Sequence, residues 1–156
     1  MENTVEKVVA ESPLRTAKLD WAERIVFAAA AVAVLVVFSV AWWLHPDPRG
    51  LGTHQQLGLM PCLAVRVLHI PCPFCGMTTS FSYFAHGDPA DAARTQPAGA
   101  LLFICSALGC VLSAGFAVSG RWFPILGEDR FLKRVLQVGA VIIALAWIYK
   151  IIIYRF

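Results

Sequence analysis

The sequence predicts an all-α membrane protein with three transmembrane helices and a re-entrant or interfacial helical hairpin in the first loop. Composition is the first reason: the 156 residues are 58% hydrophobic, with a mean hydropathy of +0.67, whereas soluble domains use roughly 45–50% apolar residues. The second is three long stretches with no charge or a single one. At about 1.5 Å of rise per helical residue, stretches of about 20 residues match a hydrocarbon core of roughly 30 Å.

The first span is predicted over residues 25–44. Trp21 lies just before it and Trp42 and Trp43 close it, where amphipathic rings settle at the two interfaces. A polar stretch precedes the run, which is longer than the apolar part of a signal peptide, so it is expected to stay in the mature protein. His45, Pro46, Asp47 and Pro48 end it.

The second span is predicted over residues 97–118, with Pro97 in the first helical turn, where its missing N–H costs nothing. Within it Ser106 and Cys110, and Gly109 and Ser113, are small residues four apart and are expected at a helix–helix contact. Cys105 and Cys110 read as packing residues. The third span, 135–154, carries one charge, Lys150, near its end beside Trp147, Tyr149 and Tyr154. That position predicts snorkelling toward the headgroups. Gln137 is expected to face another helix. No charge falls mid-membrane, which argues against a proton or ion carrier.

Orientation follows from Lys and Arg in the flanking segments. Lys7, Arg15, Lys18, Arg24, Arg121, Arg130, Lys133 and Arg134 fall on one side; Arg49, Arg66, Arg94, Lys150 and Arg155 fall on the other. Eight against five favours a cytoplasmic N-terminus. Residues 1–24 are then a cytoplasmic segment, residues 25–156 a single domain in the cell (inner) membrane, and the loop 45–96 extracytoplasmic. The basic residues are scattered and form no stripe that would track a phosphate backbone, so nucleic acid is not an expected partner.

The loop is too apolar for a disordered linker. Phe74, Met77, Phe81 and Phe84 recur at helical spacing, with Thr78, Thr79 and Ser82 on the other sides. His86 and Gly87 end that helix. Asp88 as N-cap and Pro89 at the first position start a second short helix reaching Thr95.

The chemically suggestive feature is the run Pro71-Cys72-Pro73-Phe74-Cys75-Gly76, a Cys-x-x-Cys pair in a tight turn, with Cys62 nearby. Such a turn can point two thiolates at one ion. A closed tetrahedral site needs two more ligands, and Cys62 and His69 supply them, with His54 as a further candidate. This predicts a metal set Cys62, His69, Cys72 and Cys75 for zinc or iron. Two other readings stay open. Cys72 as nucleophile and Cys75 as resolving thiol would make a membrane thiol–disulfide oxidoreductase. Alternatively the thiols staple a docking loop in a non-enzymatic accessory subunit, partnered by another membrane protein. No Ser/His/Asp set, phosphate loop or carboxylate dyad is present, so an enzyme is not the favoured class.

The stretch Gly52-Thr53-His54-Gln55-Gln56-Leu57-Gly58-Leu59, then Cys62 and Pro71 through Phe81, resembles the domain of unknown function 2752 family of small bacterial membrane proteins. The matching positions are Cys72, Pro73, Cys75, Gly76, Thr78, Gly87, Asp88, Ala92, Ala93 and Pro97, within roughly residues 50–118. Thr79 stands where many members have arginine, and Gln96 where they often have asparagine. The resemblance implies a bacterial membrane protein and no particular reaction.

Overall fold

A computed structural model describes residues 17–123 and 129–153. Helix α1 spans Trp21–Trp43. It begins one turn before the apolar run because Asp20 and Glu23 form a reciprocal capping box, Glu23 N–H to Asp20 Oδ1 at 2.7 Å and Asp20 N–H to Glu23 Oε2 at 2.9 Å. Leu44 turns extended and ends it. A 3-10 helix over Thr53–Leu57 and a short helix α2, Leu63–Leu68, follow. The predicted hairpin is α3, Met77–Ala85, and α4, Pro89–Thr95. Helix α5 is Pro97–Ser119 and α6 is Asp129–Ile153.

Helices α1, α5 and α6 are each long and apolar enough to cross a membrane. The protein is therefore an all-α membrane protein whose environment is a lipid bilayer. The third spanning helix begins at Asp129, ahead of the predicted 135, because the mixed segment 129–134, with four charged residues around Phe131 and Leu132, continues the helix beyond the uncharged stretch. Tyr154 and Arg155, like Lys7 and Arg15, lie outside the described residues.

Helices α1 and α5 run antiparallel. Phe27 meets Phe116 edge-on at 5.5 Å near one end, and Phe38 stacks on Phe103 at 4.3 Å toward the other. Between them, Cys110 Sγ lies 3.6 Å from the Ala31 carbonyl, so the predicted small-residue contact is made at Cys110. It is not made at Gly109, where an added Cβ would meet nothing within 4 Å. At the end away from the loop, Arg24 donates to the terminal carbonyls of Ala117 (2.8 Å) and Val118 (3.2 Å), the orphan acceptors of α5. A two-residue ribbon, β1 (Ala17–Lys18) with β2 (Arg121–Trp122), pairs antiparallel beside it.

Beside small apolar residues such as Ala31, Ala92 and Ala100, the interior carries polar side chains where a soluble protein's would be greasy. Thr53, Thr79, Ser80, Ser82 and Gln96 are buried, while many large apolar side chains face outward. In lipid this is expected: apolar surface gains nothing by turning inward, and small hydroxyl side chains let backbones approach and satisfy each other. Thr53 Oγ1 donates to Thr79 Oγ1 at 2.9 Å and accepts from Asp47 N–H at 3.0 Å. Ser82 Oγ donates to the Leu44 carbonyl, joining α3 to the end of α1. Ser80 Oγ donates to the carbonyls of Ala92 (2.9 Å) and Gln96 (3.2 Å). The predicted phenylalanine stripe splits accordingly: Phe81 and Phe84, on α3, pack on Phe103, while Phe74 lies in the turn before α3 and is exposed.

Three smaller expectations resolve. His86 caps α3, its Nδ1 2.8 Å from the Ser82 carbonyl and its ring stacked on Trp42. Asp88 holds the N-cap position of α4, but its side chain makes no capping bond. Gln137 is exposed on α6 and, among the described residues, is not packed against a neighbouring helix, because the hydrogen bonds of α6 to the rest of the protein come from its C-terminal end.

Candidate metal centre

Cys72 through Cys75 form a four-residue turn closed by Cys75 N–H to the Cys72 carbonyl at 3.0 Å. Pro73 suits its second position because its φ is preset near −65°. The turn brings Cys72 Sγ to 3.0 Å from Cys75 Sγ, and Cys72 N–H points at the Cys75 sulfur from 3.2 Å. Gly76, at φ +87°, then turns the chain into α3. Cys62 stands before the first turn of α2, and the sulfurs of Cys62, Cys72 and Cys75 all lie within 4.8 Å of one another.

Of the four predicted ligands, these three cysteines are brought together. His69 is outside that group: it is exposed at the C-terminal end of α2, in a left-handed conformation with φ +54°. His54 is the imidazole that shares the cavity. This cavity, about 270 Å³, is lined by the three cysteines together with His54, Gln55 and Thr78 among others. His54 Nε2 sits 3.2 Å from the Met60 carbonyl.

Cys62 and Cys75 are electrostatically unequal. Burial works against the Cys62 thiolate, yet the amides of Val65 and Ala64 and the thiols of Cys75 and Cys72 outweigh it and bring this thiol down to about 7. The amides face the sulfur without closing a regular capping bond. Cys75 moves the other way: burial raises its pKa, and hydrogen bonds with Cys72 and Cys62 raise it further. Cys62 therefore gives up its proton well before Cys75. In metal-free protein, alkylation of Cys62 followed by peptide mass spectrometry should climb about tenfold per pH unit below about 7 and level off above it. A rate still climbing tenfold per unit up to about pH 8.5, as for an ordinary cysteine, would contradict this environment.

The supports of the turn come from distant parts of the chain, and the sequence reading missed them. Gln96, at the junction of α4 and α5, donates Nε2–H to the Pro73 carbonyl at 2.9 Å. Its Oε1 has no hydrogen-bond partner among the described residues. From α6, Trp147 Nε1–H donates to the Pro71 carbonyl at 2.8 Å, and Tyr149 donates to the Arg94 carbonyl at 3.2 Å.

Lys150 corrects the snorkelling expectation. It is 4% exposed, and its ammonium donates to the Thr95 carbonyl at 2.7 Å and the Gly50 carbonyl at 3.1 Å. Thr95 ends α4, so its carbonyl is an orphan acceptor at the negative end of the helix. That acceptor, with Gly50, draws the ammonium inward.

Three convergent sulfurs are a donor set for a soft or borderline ion. Tetrahedral zinc with Zn–S bonds near 2.3 Å sets its sulfurs about 3.8 Å apart. The observed span, from 3.0 Å for the closest pair up to 4.8 Å at most, brackets that value, so small side-chain rotations would seat an ion. No curated protein and no solved structure matches this chain. Residues 62–110 match the family model described as Protein of unknown function (DUF2752), so the resemblance read from the motif holds over the segment that carries all three thiols.

Proposed function

We propose that this membrane protein binds a transition-metal ion, zinc or iron, through Cys62, Cys72 and Cys75, on the extracytoplasmic side of the membrane. The observation that carries the reading is the convergence of three sulfurs within 4.8 Å on one cavity wall. A stapling disulfide needs two cysteines, and nothing in that role calls for the third to converge on the pair. A metal centre uses all three. The extracytoplasmic side rests on the eight-to-five distribution of basic residues. An impermeant maleimide tests it: apo-protein thiols in the loop should react in intact spheroplasts, and reaction only after lysis would reverse the orientation.

Elemental mass spectrometry of detergent-purified protein, prepared without chelator and paired with a thiol count under denaturing conditions, tests the metal. The expected result is close to one zinc or iron per chain with all five cysteines present as thiols, and loss of the metal in Cys72→Ser. Absence of metal with two thiols missing would overturn the reading. That outcome would favour thiol–disulfide exchange, for which the acidic Cys62 beside a close Cys72–Cys75 pair is the supporting observation.

A further inference from the structure

Three sulfurs leave one position of a tetrahedral ion open, and the wall of the cavity they share carries one imidazole among the described residues, that of His54. His54 follows Thr53 in the 3-10 helix Thr53–Leu57, which the left-handed residues Gly52 and Gly58 bracket. Thr53 is fully buried, and its hydroxyl donates to Thr79 Oγ1 on α3. Helix α3 issues directly from the thiol turn through Gly76. The segment that carries His54 is thereby tied to the segment that carries Cys72 and Cys75.

The ring is held in the form that a metal ion requires. His54 Nε2 lies 3.2 Å from the Met60 carbonyl. A carbonyl oxygen only accepts, so Nε2 carries the proton of this bond, and in a neutral imidazole the lone pair then belongs to Nδ1. Metal-ligating histidines almost always donate their second ring N–H to a carboxylate, a backbone carbonyl or water, which fixes the tautomer. The other polar side chains on the wall, Gln55, Thr78 and Thr79, offer neutral oxygens, and that of Thr79 already accepts from Thr53. Zinc and iron take imidazole nitrogen in preference to such oxygens. His54 stands outside the three-sulfur group, so binding of the ion has to draw the ring toward the sulfurs.

We propose that His54 Nδ1 is the fourth ligand of the Cys62–Cys72–Cys75 centre, closing a tetrahedral site of three cysteines and one histidine. The inference rests on the metal reading above. It puts His54 in the place that sequence spacing assigns to His69. It also makes the ion a clasp between three segments of the loop: the 3-10 helix, the start of α2 and the thiol turn. With every position filled by the protein, such a site is structural and leaves none for a substrate.

The test uses the full chain in detergent, with histidine enriched in the spin-half nitrogen isotope and the centre loaded with a spin-half cadmium isotope in place of zinc. Nuclear magnetic resonance should show one imidazole nitrogen coupled to cadmium, of the Nδ1 type by its correlations to the ring protons, and the coupling should vanish in His54→Gln. This readout is made on the unmutated protein, so it stands even where a variant folds poorly. Zinc affinity, measured by competition with a chromophoric chelator, should fall by more than about 10-fold in His54→Ala and stay at the wild-type value in His69→Ala. Coupling to any other histidine, coupling at Nε2, a bound ion with no coupled histidine, or a smaller loss in His54→Ala would overturn the inference alone. Failure of the wild-type protein to bind cadmium and zinc would overturn the metal reading and this inference together.

Discussion

Gly76→Ala should lower the melting temperature in detergent much further than Gly87→Ala, although the two glycines have nearly the same φ. Their φ angles are +87° and +88°. An L side chain in that region costs about 1–2 kcal/mol through contact of Cβ with the carbonyl that follows, and Gly87→Ala should show that cost alone, because nothing lies within 4 Å of its Cβ position. At Gly76 the same methyl would stand 2.8 Å from the Gly50 carbonyl oxygen and 3.0 Å from Lys150 Nζ. The ammonium sits on a flexible stem and can retreat, but the Gly50 oxygen is backbone. Overpacking against an atom that cannot swing away adds about 1–3 kcal/mol, for a total on the order of 3–4 kcal/mol, a large share of a typical folding free energy. Because Gly76 follows Cys75, the displacement should also weaken metal retention, which Gly87→Ala should leave intact. Equal melting temperatures for the two variants would show that the Gly50 carbonyl and the thiol turn are not held together as described.

Much of this architecture was legible in the sequence. The three spans, the short hairpin and its Pro89 and Pro97 starts follow from hydropathy, proline placement and helical spacing, and these signals are local. The thiol turn was legible for the same reason, since Cys72, Pro73, Cys75 and Gly76 are consecutive or nearly so. What was not legible is long-range. Lys150 and Trp147 meet Gly50 and Pro71 across 100 and 76 residues of chain, and no periodicity reports that. An ionisable residue in a span is a functional candidate by default; its place near the helix end pointed instead to the headgroups, and the carbonyls of Thr95 and Gly50 show what draws it inward. His69 and His54 illustrate the same limit. His69 is nearer in sequence to Cys72, but it sits exposed at the end of α2 and outside the three-sulfur group, while Gly52 begins the 3-10 helix that carries His54, which lines the cavity. The polar part of the interior was hidden by a habit of soluble proteins: on α3 the residues that bury are Thr79, Ser80 and Ser82, which in water would mark the outer face.

Helices α3 and α5 approach closely where α5 begins, and Gly99→Leu should be the most disruptive glycine substitution within the spans. A Cβ at Gly99 would meet Ser80 Cβ and Oγ at 2.9 Å each and Met77 Sδ at 3.2 Å. Met77 is flexible and can yield. Ser80 cannot, because it is fully buried and its hydroxyl is committed to the carbonyls of Ala92 and Gln96. Moving it would break both bonds and leave polar atoms unpaired in a region without water, a cost of about 1–3 kcal/mol for each group stranded. Alanine at this position should therefore destabilise by about 1–3 kcal/mol, the usual range for overpacking. Leucine, whose branched end has nowhere to go, should cost on the order of 4 kcal/mol or more and pry α3 away from α5. Since Gln96 precedes that first turn and holds Pro73, the thiol turn should loosen with it, and metal content should fall in step with stability. The control is Gly109 on the same helix, where nothing lies within 4 Å of the Cβ position. Gly109→Ala should be neutral or stabilising by up to about 1 kcal/mol, the difference in helix propensity. Thermal unfolding of the two pairs in one detergent gives the comparison; a Gly99→Leu protein as stable as Gly109→Leu would mean that α3 does not cross α5 at Ser80.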